Sequence, residues 1–147
     1  MVCYNIGLIL SGAMLMLSRR ILLFTCTAAI LSIMPAQATE AVAFTADSFS
    51  AAQAAGKPIL IDITASWCPT CKAQAPVIQE LTTRGAYQDV VVFHVDFDDQ
   101  KDVVRSFNAR MQSTLIMFKG QDEVARSVGV TDPAAIAEML SKAASGT

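Results

Sequence analysis

Four apolar segments in the second part of the chain predict the strands of a single sheet. Residues 59–64 and 90–97 are almost continuously apolar, which is typical of parallel strands covered on both faces. Residues 113–118 and 124–128 are joined by the polar turn KGQDE, and this arrangement predicts an antiparallel hairpin. The mildly apolar residues 39–44 predict a short edge strand ahead of them.

The intervals between these segments have the composition or the periodicity of helices. We predict helices at about residues 47–55, 69–85, 98–108 and 134–143. Pro76 falls well inside the second helix, where a proline removes a hydrogen bond and is expected to produce a kink. From residue 59 onward, the order β-α-β-α-β-β-α predicts an α/β fold in which helices flank one mixed sheet.

The first 38 residues differ from the rest of the chain. Arg19-Arg20 is followed by a predominantly apolar region of 14 residues, 21–34, and then by the small-x-small sequence Ala36-Gln37-Ala38. This pattern predicts a secretory signal cut after Ala38, and the apolar run is shorter than the roughly 20 residues that span a bilayer. We therefore expect a periplasmic or otherwise exported protein, with retention as a membrane anchor as the alternative. Residues 1–13 add a second apolar run, which suggests an over-extended start codon.

Removal of that signal leaves residues 39–147 as one domain and also removes Cys3 and Cys26. A single remaining cysteine pair suits an oxidising compartment, where spare thiols would be trapped. The remaining residues include nine basic and thirteen acidic side chains, so their net charge is −4. Without a basic patch, nucleic acid is excluded as an expected partner.

The remaining cysteines, Cys68 and Cys71, lie in the sequence WCPTC, where an apolar strand passes into a helix. A disulfide that closes so short a loop adds little stability, which favours a redox function over a static crosslink. A helix amino terminus stabilises a thiolate, so we expect Cys68 to be an exposed nucleophile of lowered pKa and Cys71 to be the buried, resolving thiol. Zinc is the alternative, but beyond residue 38 only His94 adds a further ligand of the usual structural type.

This element order, together with IDITASWCPTCKAQAP, resembles the thioredoxin family over about residues 42–143. Beyond the two cysteines, the match rests on Asp62, Trp67, Lys72, Pro76 and Gly129. The sequence WCPTC is also similar to that of the exported reductants of cytochrome c maturation. The resemblance implies a thioredoxin fold and a thiol-disulfide oxidoreductase.

The implied reaction is the reduction of protein disulfides by dithiol-disulfide exchange. Cys68 would attack and Cys71 would resolve, while Asp62 and His94 would handle the second proton. A histidine satisfied by backbone groups in a strand is the alternative for His94. We expect the remaining contacts with substrate to come from Trp67, Pro69, Thr70, Ser113 and Thr114. We expect no cofactor besides the redox-active disulfide, no metal, a monomer, and a membrane electron donor of the thiol-disulfide type.

One position departs from the family pattern. Ser113, immediately before Thr114, stands where the family has a cis-proline facing the sulfurs, and the chain has no proline between Pro76 and Pro133. A cis bond before a residue other than proline costs about 3 kcal/mol, so we expect a trans or a strained peptide. Two alternative functions are kept. The domain could be an oxidant or isomerase, because the sequence does not determine the direction of electron flow. Because Ser113 replaces the cis-proline, it could also be a binding or metal- or cluster-holding module without turnover.

Overall fold

The structure, a computed structural model, describes residues 41–84 and 86–144. The predicted signal and start site therefore lie outside the described residues. The elements of the described part are β1 (Val42–Ala43), α1 (Ala46–Ala54), β2 (Pro58–Thr64), α2 (Pro69–Arg84), β3 (Val91–Asp96), α3 (Lys101–Ser106), β4 (Thr114–Lys119), β5 (Asp122–Val128) and α4 (Pro133–Ala144). Every helix within residues 41–84 and 86–144 is too short or too polar to span a bilayer.

The predicted mixed sheet is confirmed. Its strands follow the order β1-β3-β2-β4-β5, with β1, β3 and β2 parallel and with β4 and β5 antiparallel to their neighbours. β2 is central, and it places Asp62 beside His94 of β3 and Ile63 beside Thr114 of β4. The carboxyl end of β2 therefore meets the beginning of β4.

Helices cover both faces of the sheet, which explains why β2 is apolar at nearly every position. On one face, Ile61 packs with phenylalanines of α1 and of the end of α3. On the other face, Leu60 packs with Ile78 of α2 and Leu140 of α4. Because side chains alternate along a strand, Asp62 points to the same face as Leu60 and lies on the α2 side of the sheet.

Two helix starts differ from the prediction for local reasons. α3 begins at Lys101 because the carboxylate of Asp96 accepts the N–H groups of Asp98 and Asp99, at 2.8 and 2.9 Å, and holds them in a turn. α1 begins one residue before Asp47, since the Thr45 hydroxyl accepts the N–H of Ser48 and caps the helix.

Other local predictions are confirmed. Asp132 accepts the N–H of Ala135 at 2.8 Å and caps α4, with Pro133 as the first helical residue. Pro76 lies inside α2 as predicted, and the kink expected there stays a prediction. Lys119 and Asp122 pair across the turn of the predicted hairpin.

Candidate active site at the start of the second helix

Cys68 and Cys71 form a disulfide, with their Cα atoms 5.4 Å apart. Cys68 immediately precedes Pro69, the first residue of α2, and Cys71 lies in the first turn. The N–H of Cys71 donates to the Sγ of Cys68 at 3.1 Å. The sulfur nearer the helix start therefore accepts a backbone hydrogen bond that would also stabilise it as a thiolate.

Both cysteines are buried, with 2% of Cys68 and 5% of Cys71 exposed. The prediction that Cys68 is exposed is wrong for this disulfide form. The physical reason is local packing, because Ala65 lies against the two cysteines and Phe97, which follows β3, packs on the same cluster. Access to the sulfur therefore depends on the surrounding loops.

The positions flanking the disulfide are open to solvent. Trp67 and Pro69 are exposed and Thr70 is half-buried. The Trp67 Nε1–H donates to Asp98 at 2.7 Å, which fixes the indole beside the dithiol. Sequence reasoning missed Asp98, whose only signal was its place in the acidic run after β3.

Asp62 and His94 are brought together as predicted. Nδ1 of His94 lies 3.0 Å from Oδ2 of Asp62, and the side chains are 39% and 4% exposed, respectively. The distance suits a hydrogen bond, but the angle does not, since Nδ1 has no hydrogen-bond partner of regular geometry among the described residues. The second carboxylate oxygen, Oδ1, is buried and also lacks a partner there.

The Asp62 carboxylate raises the pKa of His94 above its ordinary value of 6.5. Hydrogen bonding to the carboxylate is the larger cause and its negative charge adds to it, while burial of the imidazole acts in the opposite direction. The proximity of the two groups accounts for the direction even though the bond is not fully aligned. His94 and Asp62 thus form a close pair on the α2 side of the sheet.

Ser113 has the predicted trans peptide, as do all described peptide bonds. Its φ is +53°, in the left-handed region that residues other than glycine rarely occupy. The side chain is buried, and its hydroxyl donates to the carbonyl of Gln112 at 2.6 Å. Thr114 is also buried, and its hydroxyl donates to the carbonyl of Met111 at 2.7 Å.

Two exposed apolar residues that sequence reasoning missed lie near this end of the sheet. Met111 precedes the Ser113 turn, and Val128 ends β5 as the register partner of Thr114. Together with Trp67 they are exposed apolar residues at the end of the sheet where β2 leads into α2. Isolated apolar residues in loops and at the end of a strand gave no pattern from which this could be predicted.

The described residues contain no group of three or more His, Cys, Asp or Glu side chains arranged to hold a metal ion.

Comparison with known proteins gives a consistent result. The family model for thioredoxin matches residues 40–142. A thioredoxin of Mycobacterium tuberculosis is 40% identical over 85 residues, covering 58% of this chain and 72% of the relative. A thioredoxin of Mycolicibacterium smegmatis is 38% identical over 104 residues, covering 69% of this chain and 93% of the relative.

Solved structures agree with these relatives. The crystal structure of Trxlp from Edwardsiella tarda is 40% identical and matches with a TM-score of 0.67, covering 69% of this chain and 98% of that one. Thioredoxin NaTrxh from Nicotiana alata is 28% identical with a TM-score of 0.63, covering 71% and 92%, respectively.

Proposed function

Because the chain belongs to the thioredoxin family and is a thiol-disulfide oxidoreductase, we propose that it reduces protein disulfides outside the cytoplasm, through Cys68 and Cys71. The observation that carries this proposal is the hydrogen bond from the Cys71 N–H to the Cys68 sulfur at the start of α2. A donor and a helix dipole aimed at one sulfur make that cysteine the nucleophile.

In the first step, the Cys68 thiolate of the reduced protein attacks one sulfur of a substrate disulfide. A mixed disulfide forms, and the other substrate sulfur leaves as a thiolate. The exposed apolar residues Trp67, Met111 and Val128 would receive the substrate around this sulfur. Asp98 holds Trp67 in place for that contact.

In the second step, Cys71 loses its proton and attacks the Cys68 sulfur. The internal disulfide closes, and the second substrate sulfur leaves and takes up a proton, so that two electrons have passed to the substrate. Asp62 is the proposed proton acceptor, since it lies on the α2 side of the sheet and its buried Oδ1 has no partner among the described residues. His94 would pass the proton on, because much of its side chain faces solvent while Nδ1 faces Asp62.

We favour the reductive direction because Thr70, between the cysteines, brings no positive charge that would hold a strongly oxidising thiolate. The energy that separates a reductase from an oxidant is small, since 30 mV in reduction potential corresponds to only about 1.4 kcal/mol. A reductase in an oxidising compartment needs an external dithiol to regenerate it, and a membrane donor of the thiol-disulfide type would supply the electrons.

Export is part of the proposal and rests on the signal-like sequence at residues 19–38. Cell fractionation with amino-terminal sequencing of the mature protein tests it. A mature chain beginning at Thr39 in the periplasmic fraction supports export with cleavage, whereas an intact amino terminus in the membrane fraction supports an anchor.

The chemical function is tested by titrating the reduction potential and assaying insulin reduction on the same preparation. A reducing potential with turnover supports a reductase, and an oxidising potential would support the oxidant or isomerase. A normal potential without turnover would favour a binding module, and metal retained after purification would favour the metal-holding version. The left-handed Ser113 is the observation that keeps these last alternatives open.

A further inference from the structure

Gln74 is a buried polar residue of α2 that the reaction described above does not use. It lies one turn after Cys71, and only 1% of it is exposed. Its amide nitrogen donates to the carbonyl of Val130 at 2.8 Å and lies 3.4 Å from the carbonyl of Ser113. One side chain of the cysteine-bearing helix therefore holds two loops, the one before β4 and the one after β5.

Packing alone does not account for a glutamine at this position. The amide oxygen of Gln74 is buried and has no hydrogen-bond partner among the described residues. An unpaired buried carbonyl opposes folding, whereas an apolar side chain of the same length would fill the space without that cost. What the amide adds is its pair of donor contacts to the loops.

The loop that Gln74 holds adopts an unfavourable backbone conformation. Ser113 has φ +53°, in the left-handed region that is sterically unfavourable for residues other than glycine. The Ser113 carbonyl accepts the N–H of Gly129 at 2.9 Å and is also approached by the amide nitrogen of Gln74. These two contacts fix the carbonyl and thereby oppose the return of Ser113 to an ordinary φ.

We infer that Gln74 is a positioning residue that holds the Ser113 turn in its left-handed conformation beside the dithiol. The inference rests on the proposed function in one respect: a protein substrate must lie against this turn, with its exposed Met111, to reach the buried Cys68. A small aromatic disulfide needs only the sulfur. Gln74 should therefore affect reduction of a protein disulfide more than reduction of a small one.

The test compares two reactions in Gln74→Met, which keeps the side-chain length and removes both polar atoms. Loss of the donor contacts should lower kcat/KM for insulin about fivefold and leave the rate with a small aromatic disulfide within about twofold. Thr82→Val is the matched control, because Thr82 is equally buried on α2 but its hydroxyl donates within the helix, to the Ile78 carbonyl. It should change neither rate. Gln74→Leu serves if the methionine variant does not fold.

A Ser113→Gly background gives a second readout. Glycine occupies the left-handed region without strain. In the Ser113→Gly background, Gln74→Met should therefore lower kcat/KM for insulin by less than about twofold. The ¹³Cα chemical shift of Ser113 reports the conformation of the turn directly. In Gln74→Met it should move toward the value typical of a residue with negative φ, and in Thr82→Val it should not move. If wild type does not reduce insulin, the proposed function fails and this shift alone decides the inference. An unmoved shift, or an unchanged ratio of the two rates, would overturn it.

Discussion

Asp62 and His94 face each other across two parallel strands, with the imidazole Nδ1 3.0 Å from a carboxylate oxygen that is almost completely buried. The pair lies on the side of the sheet that packs against the cysteine-bearing helix. Nδ1 itself is buried, so the exposed part of the imidazole lies away from that atom. The pair therefore connects the interior beneath α2 with solvent.

Asp62→Asn should slow the resolving step more than the initial attack, because an amide cannot accept the proton of Cys71. A positioned base contributes roughly 10²-fold or more, so we expect at least a tenfold slower resolution. Rapid-quench single-turnover kinetics with a protein disulfide separate the two steps, and the rate of attack is the internal control. An unchanged resolving rate above neutral pH would rule out this role for Asp62.

His94→Gln should change stability in a pH-dependent manner. The raised pKa of His94 means that the folded state binds its proton more tightly than the unfolded state, whose pKa is about 6.5. The resulting stabilisation is complete below that value and is lost as pH rises through the pKa of the folded protein. The free energy of unfolding, measured by urea denaturation, should therefore differ more between wild type and variant at about pH 6 than at about pH 9, with wild type the more stable. Equal differences at the two pH values would contradict the pairing.

His94→Gln should also alter the pH profile of the resolving step, if the imidazole passes on the proton of Asp62. The measurement is the single-turnover resolving rate from about pH 5.5 to 9, for wild type and variant. Parallel profiles accompanied by a stability change alone would assign His94 a purely structural role.

Asp98→Ala should release Trp67 from its fixed position. The chain has a single tryptophan, so its fluorescence anisotropy reports the change directly. We expect faster indole motion and a fall of about threefold in kcat/KM for insulin, or about 0.65 kcal/mol, which is within the range for loss of one ordinary hydrogen bond. Asp99→Ala is the matched control, because the Trp67 hydrogen bond goes to Asp98. The same loss in both variants would contradict a specific role for Asp98.

Ser113→Pro should change function more than fold. A proline ring fixes φ near −65°, whereas Ser113 has φ +53°, so the turn beside the dithiol must move. We expect a folded protein whose turnover of insulin differs from wild type by at least about tenfold, or some 1.4 kcal/mol in transition-state energy. Ser113→Gly preserves the left-handed turn and should differ far less. Equal turnover in all three proteins would show that the conformation of this turn does not matter.

The fold could be predicted because its signals are local. Continuous apolar runs mark β2 and β3 as strands covered on both faces, and the spacing of Cys68 and Cys71 at a strand-helix junction marks the site. The features that were missed depend on contacts between distant residues. Trp67 and Asp98 are 31 residues apart, and Gln74 and Val130 are 56 apart, so neither contact leaves a pattern in the sequence. Burial of Cys68 was mispredicted for the same reason, since Phe97 reaches it from the end of another strand.

The order of attack by the two cysteines is the central claim, and trapping the mixed disulfide tests it most directly. Reduced Cys71→Ser should be mixed with oxidised insulin, quenched in acid, and analysed by intact mass and peptide mapping. We predict a stable adduct joined through Cys68, because the thiol that would release it has been removed. Absence of this adduct, with trapping through Cys71 in the Cys68→Ser variant instead, would contradict the assignment.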